Sequence, residues 1–415
     1  MTLSDSDLSQ GAATQKPYGA PLQAPLDVRQ AADVVTGPAI TRPVRRSNGL
    51  TAVGIVGISV LSLVALGILA YLVAGLGPVA FAIGGIMALV PLAIVFLGVH
   101  WIDRWEPEPR GILVFAFLWG AAASVAVALI VGAQLEGVLA ALAGGTGLGE
   151  FLDSVVQAPV VEEGAKGLGL LLIFWFARKH FDGPIDGLVY AAWVAGGFAF
   201  TENILYFGVQ LLTVGGVDGS VAEIFLARGV MSPFAHVMFT ACTGIALGFA
   251  ARRASALGAA GVFLVGLVPA ILLHAFWNGS LYFVSDFYGY YAIVQFPLFA
   301  LAVVLVLFLR RQEASLTHDR LSEYAAVGWF NRDEINALAT GAGRRRAQAW
   351  ANRRGVGKVM RRYTHDATRL AFTRQRLVTG RASIGAEADE AALLTAIVAS
   401  RATLSAAARA TEAPR

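Results

Sequence analysis

Between residues 50 and 310 the chain alternates long apolar runs with short polar stretches. The runs cover 50–74, 79–99, 111–133, 155–177, 186–213, 225–250, 258–284 and 289–310. Each matches the length of about 20 residues that an α-helix needs to cross the hydrocarbon of a bilayer. The pattern predicts an all-α fold, a polytopic membrane bundle of about eight transmembrane helices. The fifth run exceeds a perpendicular crossing, so its helix is expected to tilt or to reach beyond the lipid. Before the first run, residues 1–48 are polar and interrupted by Pro17, Pro21, Pro25, Pro38 and Pro43. Such a stretch buries too little apolar surface to fold and is expected to be a disordered cytoplasmic arm, with no cleavable signal peptide at Met1. After the last run, segments such as "RDEINALAT" and "DEAALLTAIVASRATLSAAARA" favour helix. The expected organisation is therefore an arm over 1–48, a transmembrane domain over 49–310, and a basic, mostly helical cytoplasmic extension over 311–415.

Loop charges orient the bundle, because Lys and Arg are retained on the cytoplasmic side. Arg42, Arg45 and Arg46 precede the first run, and Arg104 and Arg110 lie between the second and third. Arg178 and Lys179 follow the fourth, Arg252 and Arg253 the sixth, Arg310 and Arg311 the eighth. The alternate loops, 75–78, 134–154, 214–224 and 285–288, contain neither residue type. A cell-membrane protein with both termini in the cytoplasm is expected.

Composition agrees and narrows the class. The 415 residues are 56% hydrophobic and 14% charged, and mean hydropathy is +0.64, which excludes an ordinary soluble globular protein. A single cysteine, Cys242, excludes an intramolecular disulfide. The pI near 9.3 reflects the extension, where "GRRRAQAWANRRGVGKVMRRY" interleaves arginines with Trp350, Val356, Val359, Met360 and Tyr363. A solvated helical face beside anionic headgroups is the favoured reading of that segment, and no nucleic-acid partner is expected. The 46 glycines suit close helix packing in lipid better than phosphate-binding loops.

Against this background the fourth run is anomalous. "QAPVVEEGAKGLGLLLIFWF" carries Glu162, Glu163 and Lys166. Each ionised group at mid-bilayer costs roughly 2.5–3.5 kcal/mol, so pairing is required. Lys166 lies four residues from Glu162 and three from Glu163, both spacings that share a helix face. Two carboxylates with one ammonium still leave a charge in excess, which favours a shared proton and acid/base chemistry. Other runs add Glu202 and Asn203 in "GGFAFTENILYF", His236 in "SPFAHVMF", and His274 with Asn278 in "LLHAFWNGS". Counted from the outer ends at Val155, Thr213, Phe225 and Val284, Glu162, Glu202, His236 and His274 fall at one depth, about 10–16 Å in at 1.5 Å per residue. Arg228, nearer the outer end, reads as an interfacial or substrate-side residue.

EExxK in run four, FxxxEN from Phe198 to Asn203, a lone His in run six and HxxxN in run seven together resemble the PrsW family of glutamic-type intramembrane proteases. That family is in turn similar to the CAAX prenyl endopeptidases. The loop "DRWEPEPRG" resembles the family's acidic, proline-containing segment, and the likeness spans residues 50 to 310. It implies that Glu162 and Glu163 are the catalytic carboxylates and that His274 and Asn278 form the HxxxN pair. Glu202 stands where the CAAX enzymes have a histidine, and His236 is the ring available to replace it. The resemblance also implies a single-pass membrane-protein substrate cut near the outer face, such as an anti-sigma factor.

The residue types permit hydrolysis by water. Glu162 or Glu163 would act as base, Lys166 would hold the pair, His236 or His274 would position water or protonate the leaving amine, and Asn278 would donate to the oxyanion. Metal-free hydrolysis, with no cofactor required, is the preferred reading. Zn2+ held by His236, His274 and Glu202 is the alternative, although no HExxH motif supports it. Two other classes remain open, a proton- or ion-coupled transporter and a noncatalytic scaffold.

Overall fold

A computed structural model describes residues 48–142, 147–181, 183–253, 256–380 and 385–410. The arm expected over 1–48 lies outside them except for its last residue. The described residues are helical and contain no strand. They fall into two compact units, one ending at Gln312 and the other running from Glu313.

The first unit begins with α1, Asn48–Asp103, whose 56 residues would make a rod of about 84 Å at 1.5 Å per residue, far more than one bilayer. It is broken at Gly77, which has φ 72° and ψ 160° and is followed by Pro78. That positive φ suits glycine, and the break separates the first two apolar runs. Leu72 and Leu76 before the break, and Ala80 and Ala88 after it, pack in one cluster with Ile204, Phe207 and Leu211.

The third run is α2 (Arg110–Leu118), a π-helical turn (Trp119–Ser124) and α3 (Val125–Leu142). The fourth is α4 (Leu148–Leu152), a π turn (Asp153–Gln157) and α5 (Ala158–Phe176). The segment 134–154, expected to be a loop, is thus helical through Leu142 and again from Leu148, with 143–146 outside the described residues. The fifth run is α6, Pro184–Val214. The sixth, expected as one helix over 225–250, is not continuous. It comprises α7 (Gly219–Ile224), a π turn (Phe225–Met231) and α8 (Ala235–Arg253). Pro233 explains the interruption: it has no N–H to donate and disfavours helical geometry at Ser232, which adopts φ −121° and ψ 32°. The seventh run is α9 (Ala256–Ser280), and the eighth is α10 (Phe287–Tyr290), a π turn (Tyr291–Gln295) and α11 (Phe296–Ala326).

Glycines bring these helices into backbone contact around the central α6. A Cβ on Gly187 would lie 1.9 Å from Gly244 O, one on Gly197 2.2 Å from Phe117 O, and one on Gly120 1.8 Å from Val194 O. Small residues permit this approach where lipid supplies no hydrophobic drive for association. The "DRWEPEPRG" loop is fastened to the same helix. The Glu108 N–H donates to Asp103 Oδ1 at 3.1 Å, and the Glu108 carboxyl accepts from the Tyr190 hydroxyl. Burial, with Asp186 close by, raises the Glu108 carboxyl well above the usual carboxylate range.

The second unit contains the end of α11 with α12 (Arg332–Ala339), α13 (Gly341–Arg353), α14 (Gly357–Val378) and α15 (Ala386–Arg409). Leu321, Tyr324, Leu338, Tyr363, Leu370, Ile397 and Leu404 belong to its core. Asn331 caps α12 reciprocally with Glu334, and Arg401 Nε donates to Glu334 at 2.7 Å.

Seven described helical stretches are long and apolar enough to cross a membrane. The two arms of α1 count among them as one, α5 with its three charges is not included, and α15 is included on composition. Together with the broken α1, this is the architecture of a multi-pass membrane helix bundle.

Candidate active site

On α5, Glu162, Glu163 and Lys166 meet as their spacing requires. Lys166 Nζ lies 2.8 Å from Glu163 Oε1 and 3.2 Å from Glu162 Oε2. It also lies 3.8 Å from the centroid of the Phe198 ring on α6. Its third nitrogen or oxygen neighbour is His236 Nδ1 on α8, at 3.2 Å. Because an ammonium can only donate, Nδ1 is the acceptor and the ring proton resides on Nε2. Nε2 faces Glu202 Oε2 at 2.8 Å, and the same oxygen accepts from Arg228 Nη2 at 2.7 Å. Arg228 Nε donates to Asn203 Oδ1 at 3.3 Å, and its guanidinium lies 3.8 Å over the Tyr206 ring. Arg228 is therefore tied into the cluster rather than extended to the interface.

Glu163 is enclosed from the other side. Thr240 Oγ1 donates to its Oε2 at 2.8 Å, and His274 Nδ1 on α9 lies 3.2 Å from its Oε1. With Nδ1 protonated toward that carboxylate, His274 Nε2 keeps its lone pair, 3.9 Å from Glu162 Oε2. The two imidazole rings sit 5.2 Å apart. The two adjacent carboxylates thus differ. Glu162 lines a cavity of about 250 Å³ together with Glu202, Asn203, Arg228, His236, His274 and Asn278, whereas Glu163 lies behind it.

That cavity extends to residues at the helix ends, Asp153, Leu281 and Phe287. Three π turns contribute to its wall through Asp153 and Ser154, Ala227 and Arg228, and Gln295. A π turn displaces carbonyls from their usual partners, and side chains meet two of these. Asn278 Nδ2 donates to Ser154 O at 2.9 Å, and the Tyr291 hydroxyl to Met231 O at 2.7 Å. The amide expected to face an oxyanion therefore has a donor engaged in holding α9 to the turn before α5. Trp119 Nε1 joins a further π turn to α5 by donating to Ala165 O at 2.9 Å.

Thr240, Arg228 and Gln295 were not marked as site residues by the sequence pattern. Thr240 follows His236 by one helical turn in "HVMFT", a spacing that places both on one face. Arg228, read from the sequence as an interfacial or substrate-side residue, instead pairs with the buried Glu202.

Glu162, His236 and His274 each offer a ligand atom, all within 4.8 Å of one another. Two imidazoles and a carboxylate form a donor set of catalytic zinc. Each imidazole also turns its other nitrogen to a carboxylate, Glu163 for His274 and Glu202 for His236, the outer arrangement usual for metal-binding histidines. The residues fit a divalent ion, provided Lys166 cedes His236 Nδ1. The set differs from the one expected from sequence: Glu162 takes the place assigned to Glu202, which is held by Arg228.

Comparison with known proteins matches residues 108–308 to the family described as PrsW family intramembrane metalloprotease. That segment of the chain is similar to the PrsW family. Among curated PrsW relatives, Protease PrsW of Clostridioides difficile (strain 630) is 34% identical over 163 residues, 38% of this chain and 62% of the relative. Protease PrsW of Geobacillus kaustophilus (strain HTA426) is 30% identical over 149 residues, 35% and 57% respectively. Protease PrsW of Bacillus subtilis (strain 168) is 31% identical over 144 residues, 35% and 61%. The chain thus spans about three fifths of the length of these relatives. No solved structure matches. The matched segment contains the whole cluster from Glu162 to Gln295, and the second unit falls beyond it.

Proposed function

We propose that the chain is an intramembrane peptidase that hydrolyses a peptide bond of a membrane-protein substrate in this cavity. The observation that carries the reading is the division of labour between neighbouring carboxylates: Glu162 lines the cavity beside two imidazoles, and Glu163 is sealed behind it as their anchor. Without an ion, Glu162 takes a proton from water as that water attacks the carbonyl carbon, and returns it to the departing amine nitrogen; with an ion held at this site Glu162 would be a ligand, and the ion would supply the lowered pKa of the water. Glu163 holds His274 and Lys166 in place, and Glu202, fixed by Arg228, sets the tautomer of His236. The Arg228 guanidinium also lines the cleft, where it stabilises charge developing on the carbonyl oxygen.

Three carboxylates facing Lys166 and Arg228 leave one negative charge when the imidazoles are neutral. A retained proton or a divalent cation relieves it. The carboxylate partners of both histidines favour the metal, held by Glu162, His236 and His274. When bound, such an ion polarises a carbonyl and lowers the pKa of water. This reverses the sequence-based preference for metal-free hydrolysis.

A single-pass substrate, a location in the cell membrane with both termini inside, and a cut near the outer boundary complete the proposal. An ion relay would need polar groups onward through α6, and there Ala191, Ala192, Val194 and Ala195 are buried in an apolar core. The test is incubation of the purified full chain in liposomes with a panel of single-pass membrane proteins, with and without chelator, mapping product termini by mass spectrometry. Cuts within about three turns of the outer boundary are expected, where a freed backbone can be solvated. Cuts at the cytoplasmic end, or none, would refute it.

A further inference from the structure

Gln295 ends the π turn Tyr291–Gln295 and lines the same cavity as Glu162, His236 and His274. It is 1% exposed, and among the described residues neither its Oε1 nor its Nε2 has a hydrogen-bond partner. A buried amide idle at both ends is unfavourable anywhere, and more so at membrane depth. Other polar side chains on or beside the cavity wall do have partners. Asn278 meets Ser154 O, Tyr291 meets Met231 O, and Arg228 meets both Glu202 and Asn203. Substituting an apolar residue of similar size would remove the penalty without emptying volume. An idle amide at this place therefore points to a partner that arrives with the ligand.

The chemistry of that partner follows from the side chain. A primary amide presents a donor and an acceptor side by side in one plane, and carries no charge. Its complement is another amide. A transmembrane substrate must release peptide groups from its own helix before hydrolysis, and each released group needs a new donor and acceptor in a place that water reaches poorly.

We infer that Gln295 binds the main chain of the unwound substrate, pairing with the N–H and C=O of the strand that enters the cleft. The inference rests on the peptidase reading and adds a subsite to it. Gln295 is a binding residue, which takes no part in proton transfer. Because it reads backbone, it accepts many side chains and favours segments that unwind readily.

The test uses the unaltered full chain and Gln295→Leu with a synthetic transmembrane peptide drawn from the cleaved members of the panel. A set of analogues replaces single peptide N–H groups around the cut with ester oxygen. Gln295→Leu should raise KM about tenfold, the loss of one or two hydrogen bonds to a peptide group, with kcat nearly unchanged. Its melting temperature should be equal or higher, since a stranded amide has been removed. One ester position should raise KM for the unaltered chain and have no further effect in Gln295→Leu. Unchanged KM, a lowered melting temperature with uniform loss of activity, or ester effects that persist in the variant would each overturn the assignment while leaving the peptidase reading intact. Failure of the unaltered chain to cleave any panel member would overturn both.

Discussion

Lys166 and Glu163 meet at 2.8 Å with both side chains fully excluded from solvent. An ion pair so enclosed is expensive to halve, because the remaining charge has no water to turn to. Lys166→Met should destabilise the bundle by about 3–5 kcal/mol, read as a lower melting temperature in detergent, and should abolish cleavage. Unchanged stability would show that Lys166 does not bear the anchor role.

Glu162→Gln should behave oppositely. Its side chain keeps a path to the cavity at 12% exposure, so an isosteric neutral amide should leave melting unchanged. Cleavage should fall by about 10²–10⁴, the usual contribution of a positioned general base. Comparable activity in the two proteins would move the base elsewhere.

Metal content separates the two hydrolytic readings. Active protein is expected to carry about one equivalent of a divalent ion at a site of three protein ligands, measured by elemental analysis. Chelation should remove ion and activity together, and His274→Ala should lower the ion content. Full activity in metal-free protein would restore the metal-free mechanism.

Glu108 makes stability depend on pH. Its folded carboxyl titrates well above the range of a free side chain, so the neutral form is favoured by folding. The contribution is complete below about 4.3, the unfolded value, and is lost as pH rises through the folded value. Melting temperature should decline across that interval. Glu108→Gln, which mimics the neutral carboxyl, should flatten the decline, and an unaltered slope would exclude Glu108 as its source.

Much of this organisation is legible in the chain. Apolar run lengths announce an all-α, multi-pass bundle, although the charged fourth run is not among the seven helical stretches apolar enough to cross a membrane and α15, which no run marked, is; the spacing of Glu162, Glu163 and Lys166 announces their mutual contact. The shared depth of Glu202, His236 and His274 anticipates their convergence. What escapes is directional. Adjacent residues on a helix point about 100° apart, and nothing local says which of Glu162 and Glu163 looks into the cavity. The pairing of Glu202 with Arg228 links two helices across 26 residues of sequence, a relation without a periodic signature. Pro233 is visible, yet an apolar run passes through it, so hydropathy alone draws one helix where there are two.

The π turns were also invisible, and they have an evolutionary corollary. Each is a helical segment carrying one surplus residue, which an apolar run absorbs without changing its composition. Removing that residue from Asp153–Gln157, Phe225–Met231 or Tyr291–Gln295 would let ordinary helix close up, at little expense to the span itself. Everything on one side of the deletion would then swing by about 100°, carrying Asp153, Arg228 or Gln295 off the wall. Single-residue gaps at these three places are therefore the changes by which a descendant of this chain could lose or redraw its specificity while every aligned side chain stayed the same.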